Sequence, residues 1–317
     1  MSGERAFIER LRGIASHPAA RGLADDAALL EGPEFAHGLI LTHDMIAEGI
    51  HFRADDPPAS VGWKLVATNL SDLAAKGAAP LAALMGASLS GDASWDGEFA
   101  EGVAAACAQY GLALIGGDTI ALPNGAPKVF GLTAIGRAGA RTPSRSGGQV
   151  GDRLWVAGTI GDSGAGLAIL ARDPGAEGLL VEAYRRPIPL LAAGAALAGV
   201  ATAMMDVSDG LLIDLARLAD ASNCGARLDL DAIPLSPAFI AERGQRRAER
   251  LFAASAGDDY ALLAALPADL DPLSLCLPSG LILADVGQLV SGHGLTLADA
   301  AGEVPLPERL GYEHRPD

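Results

Sequence analysis

Short apolar runs with strand character alternate along this chain with segments of helical spacing, and tight hairpin signals are few. Alternation of that kind points to a mixed α/β (α+β) fold with helices laid against sheets. The run Gly38 to Ile46 (GLILTHDMI) reads as a strand. Ser60 to Lys76 reads as a helix, because Trp63, Leu65, Val66, Leu70 and Leu73 recur at near-helical intervals. A strand over Leu81 to Leu89, a helix over Trp95 to Tyr110 and a strand over Leu112 to Ile115 follow, and residues 5–16 read as a short amphipathic helix. The stretch Arg137 to Asp152 (RAGARTPSRSGGQVGD) is rich in Gly, Ser, Arg and Pro, which marks a domain boundary and divides the chain into residues 1–148 and 149–317. The second unit begins with the strand RLWVAG, a glycine-rich turn from Gly158 to Gly166 and a helix starting near Leu167. Asp206 to Ala221 reads as helical after the turn DVSDG.

At 317 residues, half of them apolar, the chain is long enough to bury two cores. A net charge of −16 without a basic run argues against a nucleic-acid or anionic-membrane surface, so a phosphate partner has to be met locally, through metal ions. Cys107, Cys224 and Cys276 are far apart and form no CxxC pair, which suggests neither a disulfide framework nor a zinc knuckle and fits a reducing cytoplasm. The first residues carry charges throughout and lack an apolar signal core. Ile188 to Met205 is uncharged but rich in Ala and Gly, with Pro189 near its start, and reads as a buried soluble helix rather than a membrane span. Aromatic residues make up only 4%, so the cores are expected to be packed from Ala, Leu, Val and Ile.

Aspartates gather in five places. Asp25 and Asp26 stand together in LADDAAL, where a turn or helix cap is the plain alternative to an ion site. Thr42, His43 and Asp44, with Glu48 and His51 beyond, fall at the end of a strand; the histidine spacing fits no zinc pattern, and a helix N-cap at Asp44 is the alternative to Mg²⁺. Asp72 lies amid apolar and small residues in a helix, with Lys76 at i+4 as a structural partner. In LALIGGDT an apolar strand ends in Gly116, Gly117 and Asp118, letting backbone approach a phosphate while a carboxylate holds its metal. Asp206 and Asp209 bracket Ser208 before a helix. The Gly158–Gly166 turn matches no Walker sequence, and Arg145 offers a forked donor to phosphate. Two carboxylates about 4 Å apart repel by roughly 4 kcal/mol at an effective dielectric near 20. If these groups converge, they require divalent cations.

Read in order, ADDAALL, THDMIAEGIHF, GWKLVATNLSDLAAKGAAP, LIGGDT, TPSRSGGQVGD, GTIGDSGAGLAIL, MDVSDGLLIDL and AGDDYAL resemble the successive motifs of the thiamine-monophosphate kinases over nearly the whole chain. The resemblance implies a two-domain fold of the aminoimidazole-ribonucleotide-synthetase-like superfamily. It has an N-terminal sheet domain that binds ATP and magnesium and dimerises, and a C-terminal α/β domain that closes the active site. It implies direct in-line transfer of phosphate from ATP to thiamine monophosphate, assisted by several Mg²⁺ ions, in a cytoplasmic homodimer. Matched residue by residue, it places magnesium at Asp26, Thr42, His43, Asp44, Asp72, Asp118, Asp206 and Asp209. It places ATP at Tyr110, Gly117, Asp118, Arg145 and Ser208, and the acceptor at His51, Asp258 and Tyr312. Another ATP-using enzyme of the superfamily, or a silent nucleotide-binding dimer, is the alternative. Three departures stand out: His43 where Thr is usual, AGDDY where GGEDY is usual, and Lys76 where Met is common.

Overall fold

The computed structural model describes residues 24–26, 28–30, 37–123, 125–272 and 275–314, and the helix expected over residues 5–16 lies outside them. The first half builds a five-stranded sheet from β1 (Ala28–Leu30), β2 (Leu39–Ala47), β3 (Ala79–Leu89), β4 (Ala113–Ala121) and β5 (Val129–Arg137), in the order β1-β2-β5-β3-β4. Only β3 and β4 run parallel. A parallel pair needs a long crossover, and α2 (Ala93–Tyr110) supplies it. The Asp92 carboxylate caps the start of α2 by accepting the Ser94 N–H, and Gly111 ends it at φ 66, where a side chain would be strained. With α1 (Pro58–Ala75), this helix covers one face of the sheet.

The second half builds a seven-stranded sheet from β6 (Arg153–Ala157), β7 (Ala203–Val207), β8 (Gly225–Asp229), β9 (Ala261–Leu266), β10 (Leu283–Val290), β11 (Gly294–Asp299) and β12 (Gly302–Val304). Its order is β12-β11-β8-β10-β6-β9-β7. Around it lie α3 (Asp162–Arg172), α4 (Leu179–Arg185), α5 (Leu191–Ala198), α6 (Leu211–Ala221), α7 (Pro237–Arg243) and α8 (Arg247–Ala256). One face packs on α3, α6 and α8, and the other on α5 and the end of α1.

Helix α1 belongs to both halves. Every residue from Val61 to Ala75 is buried. One flank meets β2, β5 and α2, and the other meets α4, α5, β7 and β9. A Cβ added at Gly194 would lie 2.0 Å from the Ala74 carbonyl oxygen, so α5 rests on the backbone of α1. The Ala- and Gly-rich composition permits this approach.

Several sequence expectations change in detail. The strand expected to end at Ile115 continues to Ala121, so Gly117 and Asp118 lie inside β4 rather than beyond it. Strand β5, which has no counterpart in the sequence reading, fills the centre of the first sheet. Helix α3 starts at Asp162, which leaves only residues 158–161 of the glycine-rich stretch as a turn. The apolar run from Ile188 is not one helix: α5 ends at Ala198, and β7 begins at Ala203 after a turn. Among the described residues, no helix is long and apolar enough to cross a membrane.

Candidate active site

Helix α1 carries Lys64, Thr68 and Asp72 at intervals of four, with Lys76 as its C-cap. That interval lines them along one side, over roughly 18 Å at ~1.5 Å per residue. Facing this row, β2 alternates its side chains so that Thr42 and Asp44 point inward while His43 and Met45 point to the opposite face. Strand β7 delivers Asp206 at its C-terminal end.

One carboxylate oxygen from each of Asp26, Asp72 and Asp206 lies within 4.8 Å of the others. Thr42 Oγ1 donates a short hydrogen bond to Asp72, and Ser71 Oγ donates to Asp206 Oδ2 at 2.7 Å. Asn69 Oδ1 accepts the Asp44 N–H at 2.9 Å, which fixes β2 against α1. Two cations enter from the side. Lys76 Nζ stands 2.7 Å from Asp25 and 2.6 Å from Asp26, and Arg145 Nε donates to the other oxygen of Asp26 at 2.7 Å.

These cations leave much of the charge unbalanced. Burial, then Asp26 and Asp209, push the Asp44 carboxyl up to about 6. Burial, then Asp26, push Asp206 to about 8. Asp72 is held well above the usual carboxylate range, by burial first and then by Asp44, Asp206 and Asp26. Burial by itself would lower the Lys76 ammonium, but Asp26 and Asp25 outweigh it and hold the group above its ordinary value. Converging, under-neutralised carboxylates in an all-oxygen donor set fit a hard divalent cation such as Mg²⁺.

The cluster opens through Asp44 and Thr68 into a cavity of about 520 Å³ whose far walls carry His51, Asp258, Tyr260, Tyr312 and His314. Asp258 and Tyr260 both adopt positive φ, at 62° and 51°. Their backbone N–H groups are held by Ser208 and Val207 carbonyls at 2.7 and 2.8 Å. Lys64 Nζ, almost fully buried, donates to Asp258 Oδ2 at 2.7 Å and to the His51 carbonyl at 2.9 Å, and sits 4.1 Å from the centre of the Tyr184 ring. His51 Nδ1 accepts the Ala47 N–H at 3.1 Å. Burial foremost lowers the His51 pKa, so the neutral ring keeps its proton on Nε2. Tyr312 donates its N–H to the Asp209 carbonyl at 2.9 Å and rests edge-on against His314.

The structure therefore brings Asp26, Thr42, Asp72, Asp206 and Arg145 into one cluster, and Asp44, Ser208, Asp209, His51, Asp258 and Tyr312 into the lining of the adjoining cavity, where Ser208 and Asp209 accept the Asp258 and Tyr312 N–H groups. Four candidates stand apart. The His43 ring faces away and pairs with Thr133 Oγ1 at 2.9 Å, so only its backbone carbonyl belongs to the strand lining the cluster. Asp118 lies on edge strand β4 in the row Met45–Gly131–Gly86–Asp118, on the outer face and three strand spacings, or about 14 Å, from β2. A Cβ at Gly117 would lie 2.0 Å from the Met85 carbonyl oxygen, so close packing of β3 and β4 by itself requires glycine there. Tyr110 packs edge-on against Trp63, within the first core.

Sequence reasoning passed over Lys64 and Asp214. Asp214, fully buried, accepts the Ser208 and Asp209 N–H groups at 3.1 and 3.0 Å and shares Arg217 with Asp209, so it shapes the DVSDG turn. The four-residue polar interval on α1 was the available signal for Lys64.

Residues 24–138 match the N-terminal domain of the AIR synthase related proteins, and residues 149–300 match their C-terminal domain. A thiamine-monophosphate kinase of Caulobacter vibrioides is 37% identical over 310 residues, covering 94% of this chain and 86% of the relative. The chain belongs to the thiamine-monophosphate kinase family. The Salmonella typhimurium kinase is 39% identical over 253 residues, covering 78% of this chain and 76% of the relative. Among solved structures, AaThiL complexed with AMPPCP and TMP superposes with a TM-score of 0.84 at 27% identity, covering 98% of this chain and 97% of that one. The carboxylate cluster lies where the two sheets meet, between α1 and β7.

Proposed function

We propose that this protein transfers the γ-phosphoryl group of ATP to thiamine monophosphate, yielding thiamine diphosphate and ADP. An acceptor phosphate oxygen attacks the γ-phosphorus as the bond to the β-phosphate oxygen breaks. The observation that carries the reading is the Asp26–Asp72–Asp206 convergence beside a cavity lined by Asp44, Ser208, Asp209, His51, Asp258 and Tyr312. Mg²⁺ bound among these oxygens supplies charge neutralisation between carboxylates and phosphates. Asp26, Thr42, Asp44, Asp72, Asp206 and Asp209 hold it, and Arg145 and Ser208 orient the ATP phosphates. Asp258, fixed by Lys64, and His51 position the acceptor, and Tyr312 borders it. A phosphate-monoester oxygen is already largely deprotonated near neutral pH, so the chain supplies no dedicated base.

The working form is a cytoplasmic homodimer joined through the outer face of the first sheet. Met45, Leu84 and Ile120 lie exposed on that face, and a second copy packed there buries them. Asp118, on that outer face, then serves ATP and metal across the pair rather than within one chain, whereas Tyr110 stays packed against Trp63 on the helix side. In this arrangement residues 1–148 form the half that binds ATP and metal and dimerises, and residues 149–317 form the half that closes the site.

The test is incubation with ATP, Mg²⁺ and thiamine monophosphate, with chromatographic analysis of thiamine diphosphate and ADP. Stoichiometric formation of both is expected. Absence of both from folded protein rejects the activity.

A further inference from the structure

Lys76 occupies a place in the cluster that a counter-ion on the protein surface could not. Its side chain is fully buried at the end of α1, and its ammonium is fixed by three oxygens: Asp25 at 2.7 Å, Asp26 at 2.6 Å and the Met204 carbonyl at 3.3 Å. The Asp25 contact is a charge-assisted hydrogen bond, the Asp26 contact an ion pair, and the carbonyl contact a longer, weaker one. Asp26 is divided between two cations, Lys76 on Oδ2 and Arg145 on Oδ1. The two differ in freedom, since the Arg145 side chain keeps 26% of its surface exposed and can turn toward a phosphate, whereas Lys76 is enclosed on a rigid helix. Removing a charge from such surroundings leaves the facing carboxylates uncompensated.

We propose that Lys76 is a resident cation of this site, its ammonium standing where a further divalent ion would otherwise bridge Asp25 and Asp26. The proposal rests on the metal-dependent reading above. Asp44, Asp72 and Asp206 would then hold the metal, and Asp26 would contribute the oxygen that faces Arg145 rather than the one that faces Lys76.

The test uses Mn²⁺ alone as the probe, with the full chain and no nucleotide. Bound ions per chain are counted by electron paramagnetic resonance in the natural protein and in Lys76→Met, whose side chain is close in length and uncharged. The variant is expected to bind one more Mn²⁺ and to gain more in melting temperature from Mn²⁺ than the natural protein does. Equal counts in the two folded proteins overturn the proposal. Independently of any variant, anomalous diffraction from natural crystals soaked in Mn²⁺ is expected to show no ion liganded by Asp25, and an ion bridging Asp25 and Asp26 overturns it. A natural protein that binds no Mn²⁺ and forms no thiamine diphosphate rejects the underlying metal-dependent reading along with it. A natural protein that forms thiamine diphosphate with Mg²⁺ while either arm fails rejects the role of Lys76 alone.

Discussion

Replacing Lys64 with methionine removes a buried ammonium and little volume. The side chain is 2% exposed, and its partner Asp258 is 28% exposed. Breaking a fully buried ion pair costs roughly 3–5 kcal/mol, but water reaches Asp258 in part, which places the loss nearer ~2–3 kcal/mol. At ~2–4 °C per kcal/mol for domains of this size, the melting temperature is expected to fall by about 5–10 °C. The effect on catalysis is directional. Asp258 keeps Tyr260 Oη as a partner at 2.9 Å but loses the donor that aims it. Loss of one such charge-assisted contact, at ~1.4 kcal/mol or more, raises KM for thiamine monophosphate about tenfold or more. KM for ATP is expected to hold, because Lys64 lies eight residues, or about 12 Å along the helix, from Asp72. Differential scanning fluorimetry and steady-state ADP release with each substrate varied in turn read both effects. An acceptor KM changed by less than about twofold, with an unmoved melting temperature, refutes the role assigned to the buried pair.

Asp72→Asn should abolish magnesium-dependent turnover, by about 10²-fold or more, while raising the melting temperature of metal-free protein, because it deletes an under-neutralised buried charge; circular dichroism and the kinase assay together decide it. Metal-free protein should lose stability as pH rises from about 4 toward 8. Asp44 and Asp206 have folded pKa values near 6 and 8 against 3.8 for the free carboxyl, so the native state binds more protons than the unfolded chain across that window. Denaturant melts over the range, with Mg²⁺ flattening the slope, are the measurement. Gly194→Ala should lower stability by about 1–3 kcal/mol by forcing α5 off α1, read by urea unfolding. Met45→Asp should shift the proposed homodimer toward monomer in light scattering, with the fold retained.

Much of the first sheet was legible because β2, β3 and α1 carry long periodic apolar runs. The extent of β4 was not, because two glycines inside a strand look like its end until the close approach of Met85 is known. Strand β5 carries Gly131 and Gly136 and follows a proline-containing loop, so its pattern is broken where its pairing is strongest. The run from Ile188 misled for the opposite reason: no charged residue or proline marks the turn at Gly199 between helix and strand. For the site, residue type and order picked out the aspartates, but which face each occupies depends on register. Adjacent Thr42, His43 and Asp44 look equivalent in sequence, and the pleat turns the middle one away. Lys64 escaped because a lysine in a helix is ordinarily a solvated one, and only burial on both flanks makes it a working part.

That double burial of α1 also bears on how the molecule comes apart. A fragment ending near residue 148 would carry the helix with one flank bare, and a fragment beginning there would lack the surface on which α5 and β7 rest. The linker near residue 148 is a seam in the polypeptide without being a seam in cooperativity, and heat is expected to melt both sheets in a single transition. The same reasoning limits how the catalytic depression opens. Swinging one sheet from the other would strip α1 of one packed flank, breaking Lys64–Asp258 if the helix stays with the first sheet, or Asp72–Thr42 and Lys76–Asp25/Asp26 if it leaves with the second.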